Sequence, residues 1–148
     1  MAGQEYQRPI PTADEASAPF FAGAKQHKLM LQRCSQCGSH RLPGRERCQE
    51  CWSEASDWVQ ASGRGKLYTY GIMHQQYHPA FADITPYNYA LVELEEGPRL
   101  ITNVVDCANE DLRTDMPLEA VFDDVSDETT LIRFRPAANS HQGHATGA

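Results

Sequence analysis

Four cysteines in two pairs constrain this chain more than any other feature. Cys34 and Cys37 flank Ser-Gln, Cys48 and Cys51 flank Gln-Glu, and ten residues separate the pairs. A two-residue gap lets both sulfurs of a turn reach one ion while the turn's amides hydrogen-bond to them. Two such knuckles therefore bring four thiolates to tetrahedral positions around one metal. Gly38, just after the first knuckle, is free to take the positive φ that such a turn often needs. Four thiolates leave no open position, so a bound Zn2+ is expected to hold the fold and not to activate water. The same cage accepts iron, and a rubredoxin-like redox site is the alternative that the spacing leaves open.

Disulfides are the competing use of paired cysteines, and they depend on compartment. The N-terminus MAGQEYQRPIPTADE has acidic residues and prolines where a secretory signal has a basic start and an apolar run. No segment approaches the roughly 20 apolar residues of a membrane span. A cytoplasmic chain without membrane attachment is the expectation, and reducing conditions there favour metal over disulfide. Cys107 is left over. It follows Val104-Val105 and reads as a packing residue at a strand end rather than a nucleophile.

Around the knuckles the chain divides into four parts. Residues 1–13, with Pro9 and Pro11, read as an extended arm. Residues 14–57 read as a short helix, over about 14–26 and interrupted near Pro19, followed by the zinc ribbon. Residues 58–137 carry β patterning. Trp58-Val59 leads to the turn Ser62-Gly63-Arg64-Gly65, then KLYTYGIMHQQ alternates Leu67, Thr69, Gly71 and Met73 with Tyr68, Tyr70 and Ile72. YNYALVELEE, PRLITNVVD, PLEAVFDDV and TTLIRFRP supply four more strands. Five short strands with one long connection, HPAFADITP, suit an OB-fold barrel better than a sandwich of seven or more. Residues 138–148, including His141 and His144, read as a disordered tail. The fold class is thus mainly β: a short N-terminal helix, a zinc ribbon and a five-stranded OB-fold barrel.

The formal net charge is −7, which argues against non-specific binding to phosphate backbones. Residues 1–66 hold 9 basic and 7 acidic side chains, whereas residues 67–148 hold 4 and 13. Between the knuckles lies GSHRLPGRER; Arg41, Arg45 and Arg47, with Lys25, Lys28 and Arg33, could face a phosphate-bearing ligand or simply balance the thiolates. No GxSxG, HExxH, Walker A or GxGxxG sequence occurs. His74 and His78 are four residues apart near a strand end, and a His–carboxylate pair with Asp83 is a weak candidate for acid–base work. Tyr68, Tyr70, Tyr77, Tyr87 and Tyr89 could line a groove or an interface, or pack the barrel.

Several motifs in one order give the chain a resemblance. The helix with paired phenylalanines, KLMLQRCSQCG, CQECW, SGRGKLYTY, YALVELEEGPRLITNVVD, MPLEAVF and RFRP together resemble the family of uncharacterised proteins with a rubredoxin-like zinc ribbon and an acyl-CoA-associated OB-fold. The match spans about residues 14–136. The resemblance implies a non-catalytic accessory subunit, in a hetero-oligomer with a thiolase-superfamily protein: a thiolase, an acyltransferase or a lipid-transfer-type aldolase that shortens steroid side chains. On that reading the partner supplies catalysis. This chain stabilises it and helps bind a CoA thioester, with Arg33, Arg41, Arg45, Arg47 and Lys66 as candidate contacts for CoA. One departure is local: Thr114-Asp115 stands where the family often has a glycine before the MPLEAVF-like strand. A nucleic-acid-binding ribbon/OB protein is the other alternative, disfavoured by the acidic barrel.

Overall fold

The computed structural model describes residues 6–137; the expected tail, with His141 and His144, lies outside them. Helix α1 spans Ala18–Lys25, shorter than the expected 14–26. Pro19 sits in its first turn, where the missing N–H has no partner to lose, so the proline opens the helix instead of interrupting it. Asp14 and Ser17 form the preceding turn: the Asp14 carboxylate accepts from the Ser17 amide at 2.8 Å and from its hydroxyl at 2.7 Å. Gly23 is required by packing. A Cβ there would stand 2.2 Å from Met30 Cγ, so the helix could not lie as close to the first strand.

Strands β1 (Met30–Cys34), β2 (His40–Arg41) and β3 (Ser56–Gln60) form an antiparallel sheet in the order β2-β1-β3. Trp58 and Val59 therefore belong to the ribbon sheet, where they face Gln32 and Leu31 of β1. The second sheet has the order β6-β5-β4-β7-β8, with β4 Arg64–Met73, β5 Tyr87–Leu94, β6 Arg99–Thr102, β7 Pro117–Asp124 and β8 Thr130–Pro136. It curls so that β6 approaches β8. Val104 bridges Phe134 in parallel, and the Thr102 hydroxyl donates to the Ile132 carbonyl at 2.8 Å. These are the five strands of an OB-fold.

The alternation read along β4 holds only to Leu67. The register passes from Leu67↔Val92 to Thr69↔Leu91, so Tyr68 is an extra residue, a β-bulge. The face changes there. Tyr70 and Ile72 join Leu67 on the core side, and the Tyr70 hydroxyl donates to the Leu112 carbonyl at 3.1 Å. Thr69, Gly71 and Met73 lie on the outer face. Gly71 is glycine because Tyr89, directly opposite, lies across it; a Cβ would stand 2.3 Å from the Tyr89 hydroxyl oxygen.

One core serves both sheets. Leu29, Leu31 and Ala61 from the ribbon side pack with Leu67, Val92, Leu118 and Phe134 of the barrel. Burial of this size contributes about 2 kcal/mol per large side chain, so ribbon and barrel stabilise one another. The same junction is clamped from outside. His27, at φ 60, stacks on Phe122 at 5.2 Å, and its Nε2 lies 3.1 Å from the Asp124 carboxylate.

Residues 6–13 form no regular element. Part of this arm is tied to the chain's own long connection: Arg8 pairs with Asp83 at 2.8 Å and sits over the Phe81 ring at 5.7 Å.

Candidate metal centre

Each knuckle is a tight turn ended by a residue at positive φ. In the first, the Gly38 amide (φ 81) donates to the Cys34 carbonyl at 3.0 Å, and the Cys34 amide to Ser39 O at 2.9 Å. In the second, the Trp52 amide (φ 67) donates to the Cys48 carbonyl and the Cys48 amide to Ser53 O, both at 2.9 Å. The two turns are thus near copies, offset by fourteen residues of sequence, and they face each other.

The four sulfurs lie within 4.8 Å of one another. Cys34 to Cys51 and Cys37 to Cys48 are each 3.6 Å. A tetrahedron with metal–sulfur bonds of about 2.3 Å has edges of about 3.8 Å, so the donor set fits one ion. Amides and a hydroxyl steady the sulfurs: Cys37 N–H to Cys34 Sγ at 3.4 Å, Glu50 N–H to Cys48 Sγ at 3.3 Å, and Ser39 Oγ at 3.3 Å from both Cys37 and Cys48. Nothing in the spacing identified Ser39.

Charge explains why such a cluster needs a cation. The Ser39 hydroxyl and the knuckle amides bring the Cys48 thiol down to about 6. The Cys37 amide lowers Cys34 in the same way. Cys51 goes up to about 12: the Ser53 amide lowers it, but burial and the three neighbouring sulfurs outweigh that. Four thiolates cannot share this space without a cation to replace their protons. Cys34 and Cys48 are buried, and all four sulfurs point to one centre, so the site is closed and structural.

The five candidate CoA contacts are divided between ribbon and barrel and differ in exposure. Arg33, Arg45 and Arg47 are exposed on the ribbon. Arg41 is 8% exposed; its Nη2 donates to Arg45 O at 2.9 Å, and the Arg45 amide donates to Gln32 Oε1 at 2.7 Å. This guanidinium holds the loop between the knuckles from inside. Lys66 is on the barrel, 3.7 Å from both Glu93 and Asp115. The His–carboxylate candidate is not formed. His78 Nδ1 accepts the Ala80 amide at 3.1 Å, while Asp83 is taken by Arg8. Cys107 is half-buried against the core, and burial pushes its thiol up, away from nucleophilic character.

Comparison with known proteins places both halves. Residues 21–57 match the model of the ChsH2 rubredoxin-like zinc ribbon domain, and residues 58–123 that of the ChsH2 C-terminal OB-fold domain. A probable enoyl-CoA hydratase alpha subunit from Thermomonospora curvata is 42% identical over 130 residues, covering 88% of this chain but only 40% of that protein. A DUF35 domain-containing scaffold protein from Methanocaldococcus jannaschii is 36% identical over 122 residues, covering 78% of this chain and 86% of that one. Among solved structures, a chain of the Ltp2-ChsH2(DUF35) aldolase superposes with a TM-score of 0.78 at 40% identity, covering 85% of this chain and 98% of its own. With its knuckles, its helix and its curled sheet in the matching order, this chain belongs to the ChsH2 (DUF35) family of zinc-ribbon/OB-fold proteins.

Proposed function

We propose that this chain is a non-catalytic subunit that docks on and stabilises a thiolase-superfamily acyl-CoA enzyme, with zinc as the ion in its sulfur cage. The observation that carries this reading is the outer face of β4, β5 and β6. Tyr68, Tyr89 and Ile101 are exposed there, Ile101 by 76%, and Arg99 lies 3.7 Å from the centre of the Tyr68 ring. Beside them a cavity of 330 Å³ opens between Phe20, Phe21, Leu42, Pro43, Leu100 and Ile101. Exposed aromatics with a stacked arginine, next to an apolar hollow, have the composition of a protein interface. That the aldolase relative is named for Ltp2 together with ChsH2, and that other relatives are named as subunits, supports the same conclusion.

The closed cage supports leaving the chemistry to the partner, and the His27–Asp124 pair is engaged in holding the ribbon–barrel junction. Thiols held free for metal suit a cytoplasmic setting; among the described residues no helix is long and apolar enough to cross a membrane. Nucleic-acid binding is not supported by the barrel, where five of the six cations pair with carboxylates: Arg64 with Glu95, Lys66 and Arg99 with Glu93, Arg133 with Asp123, Arg135 with Glu119.

For the acyl-CoA substrate, Arg45 is the accessible contact for phosphate, with Arg33 lying beside the first knuckle, Arg41 acting through the loop that it holds, and Arg47 and Lys66 already paired. The test is reconstitution with a thiolase-fold subunit, for which the Ltp2 subunit of the related aldolase serves as probe. Ile101→Asp is expected to abolish co-elution while leaving the chain folded. Intact binding by that variant would move the interface elsewhere, and no binding by the unaltered chain would end the reading.

A further inference from the structure

Trp52 occupies in the second knuckle the place that Gly38 holds in the first, with the same amide-to-carbonyl bond and a similar positive φ. Glycine adopts this conformation without steric penalty, whereas a bulky L side chain is strained in it. The strained residue is also 66% exposed. It is nevertheless held in place: the Arg47 guanidinium lies 5.8 Å from the ring centre, donates Nη1 to the Trp52 carbonyl at 3.4 Å, and is itself anchored by Glu54. Strain, exposure and a fixed orientation at one side chain are hard to reconcile with a packing role, since a glycine would close the turn more favourably.

We propose that Trp52 is a second anchor of this chain in its partner subunit, its indole entering an apolar pocket of that subunit with carboxylates at the rim. This rests on the partner-subunit reading above. A side chain projecting from a turn gives a small molecule no enclosing walls, so the walls belong to a protein. The rim chemistry follows from the cations. Arg33 Nη2 lies 3.5 Å from where a Gly38 Cβ would stand, beside the first knuckle, and Arg33 makes no ion pair among the described residues. A pre-oriented tryptophan flanked by arginine is the kind of residue that carries a large share of binding energy.

The experiment measures two quantities on the full, metal-loaded chain: its thermal midpoint alone, and its dissociation constant for the Ltp2 subunit of the related aldolase. Trp52→Gly is expected to hold or raise the midpoint while weakening binding about thirtyfold or more. Arg33→Glu, on the other knuckle, is expected to weaken it about tenfold. Binding within threefold of the original by a folded Trp52→Gly overturns the anchor and leaves the partner-subunit reading standing. A fall in the midpoint with unchanged affinity makes Trp52 a packing residue and overturns it too. So does a change in self-association alone, which would make a second copy the occupant. If the unaltered chain does not bind Ltp2, the partner-subunit reading fails and the anchor with it.

Discussion

Two backbone positions show how far single residues determine the local structure. Asp115 has φ 69 and donates its amide to the Leu67 carbonyl at 2.7 Å. It stands on the approach where the family often has glycine, and the conformation explains why: an L residue is disfavoured there. Asp115→Gly should raise stability by roughly 0.5–1 kcal/mol, or about 2–4 °C in the thermal midpoint, because the lost contact to Lys66 is an exposed pair of little worth. Gly65 is the opposite case. A Cβ there would meet the Glu93 carbonyl oxygen at 2.5 Å and Val92 Cγ1 at 3.0 Å. Gly65→Ala should force β4 from β5 and cost about 2 kcal/mol or more in a denaturant titration. The cysteine spacing made the metal cage legible in the sequence because a CxxC turn has essentially one way to present two sulfurs. Arg41 was not legible as an interior residue. Only the β1–β2 register, which sets it opposite the buried Gln32, turns its guanidinium inward.

At the scale of elements, strand existence was readable from β-branched and aromatic runs, but facing was not. The bulge at Tyr68 reverses inside and outside halfway along β4, and no local signal marks it. β3 is similar: Trp58-Val59 carries strand propensity, yet only long-range pairing with β1 assigns it to the ribbon. The junction between ribbon and barrel makes an acid-sensitive prediction. The Thr130 hydroxyl, then His27, hold the Asp124 carboxyl below the usual aspartate range. A group with a lowered folded value contributes stability above its unfolded value of about 4 and loses it as pH falls through the folded one. Urea titrations from pH 6 to 2 should therefore show Asp124→Asn with a flatter acid limb than the unaltered chain. An identical slope would remove the clamp from the account. Metal removal acts on the same junction from the other side. A strong chelator should release β1–β3, detected as lost amide protection at Leu31 and Val59. Protection should also weaken at Leu67 and Val92, which share their core with Leu29 and Leu31.

The whole molecule is a metal-pinned ribbon and a curled sheet grown into one core, with aromatic residues displayed on the outside. Inside the barrel Asn88 exchanges bonds with both the amide and the carbonyl of Val104, at 2.8 and 2.9 Å, and Arg133 spans Asn103 and Asp123. Such a body is built to present surfaces. Native mass spectrometry of the chain mixed with the Ltp2 subunit tests this most directly, because one spectrum reports both metal and assembly. A hetero-oligomer in which every copy of this chain carries one zinc ion is the predicted result; a metal-free chain, or two components that stay apart, would contradict it.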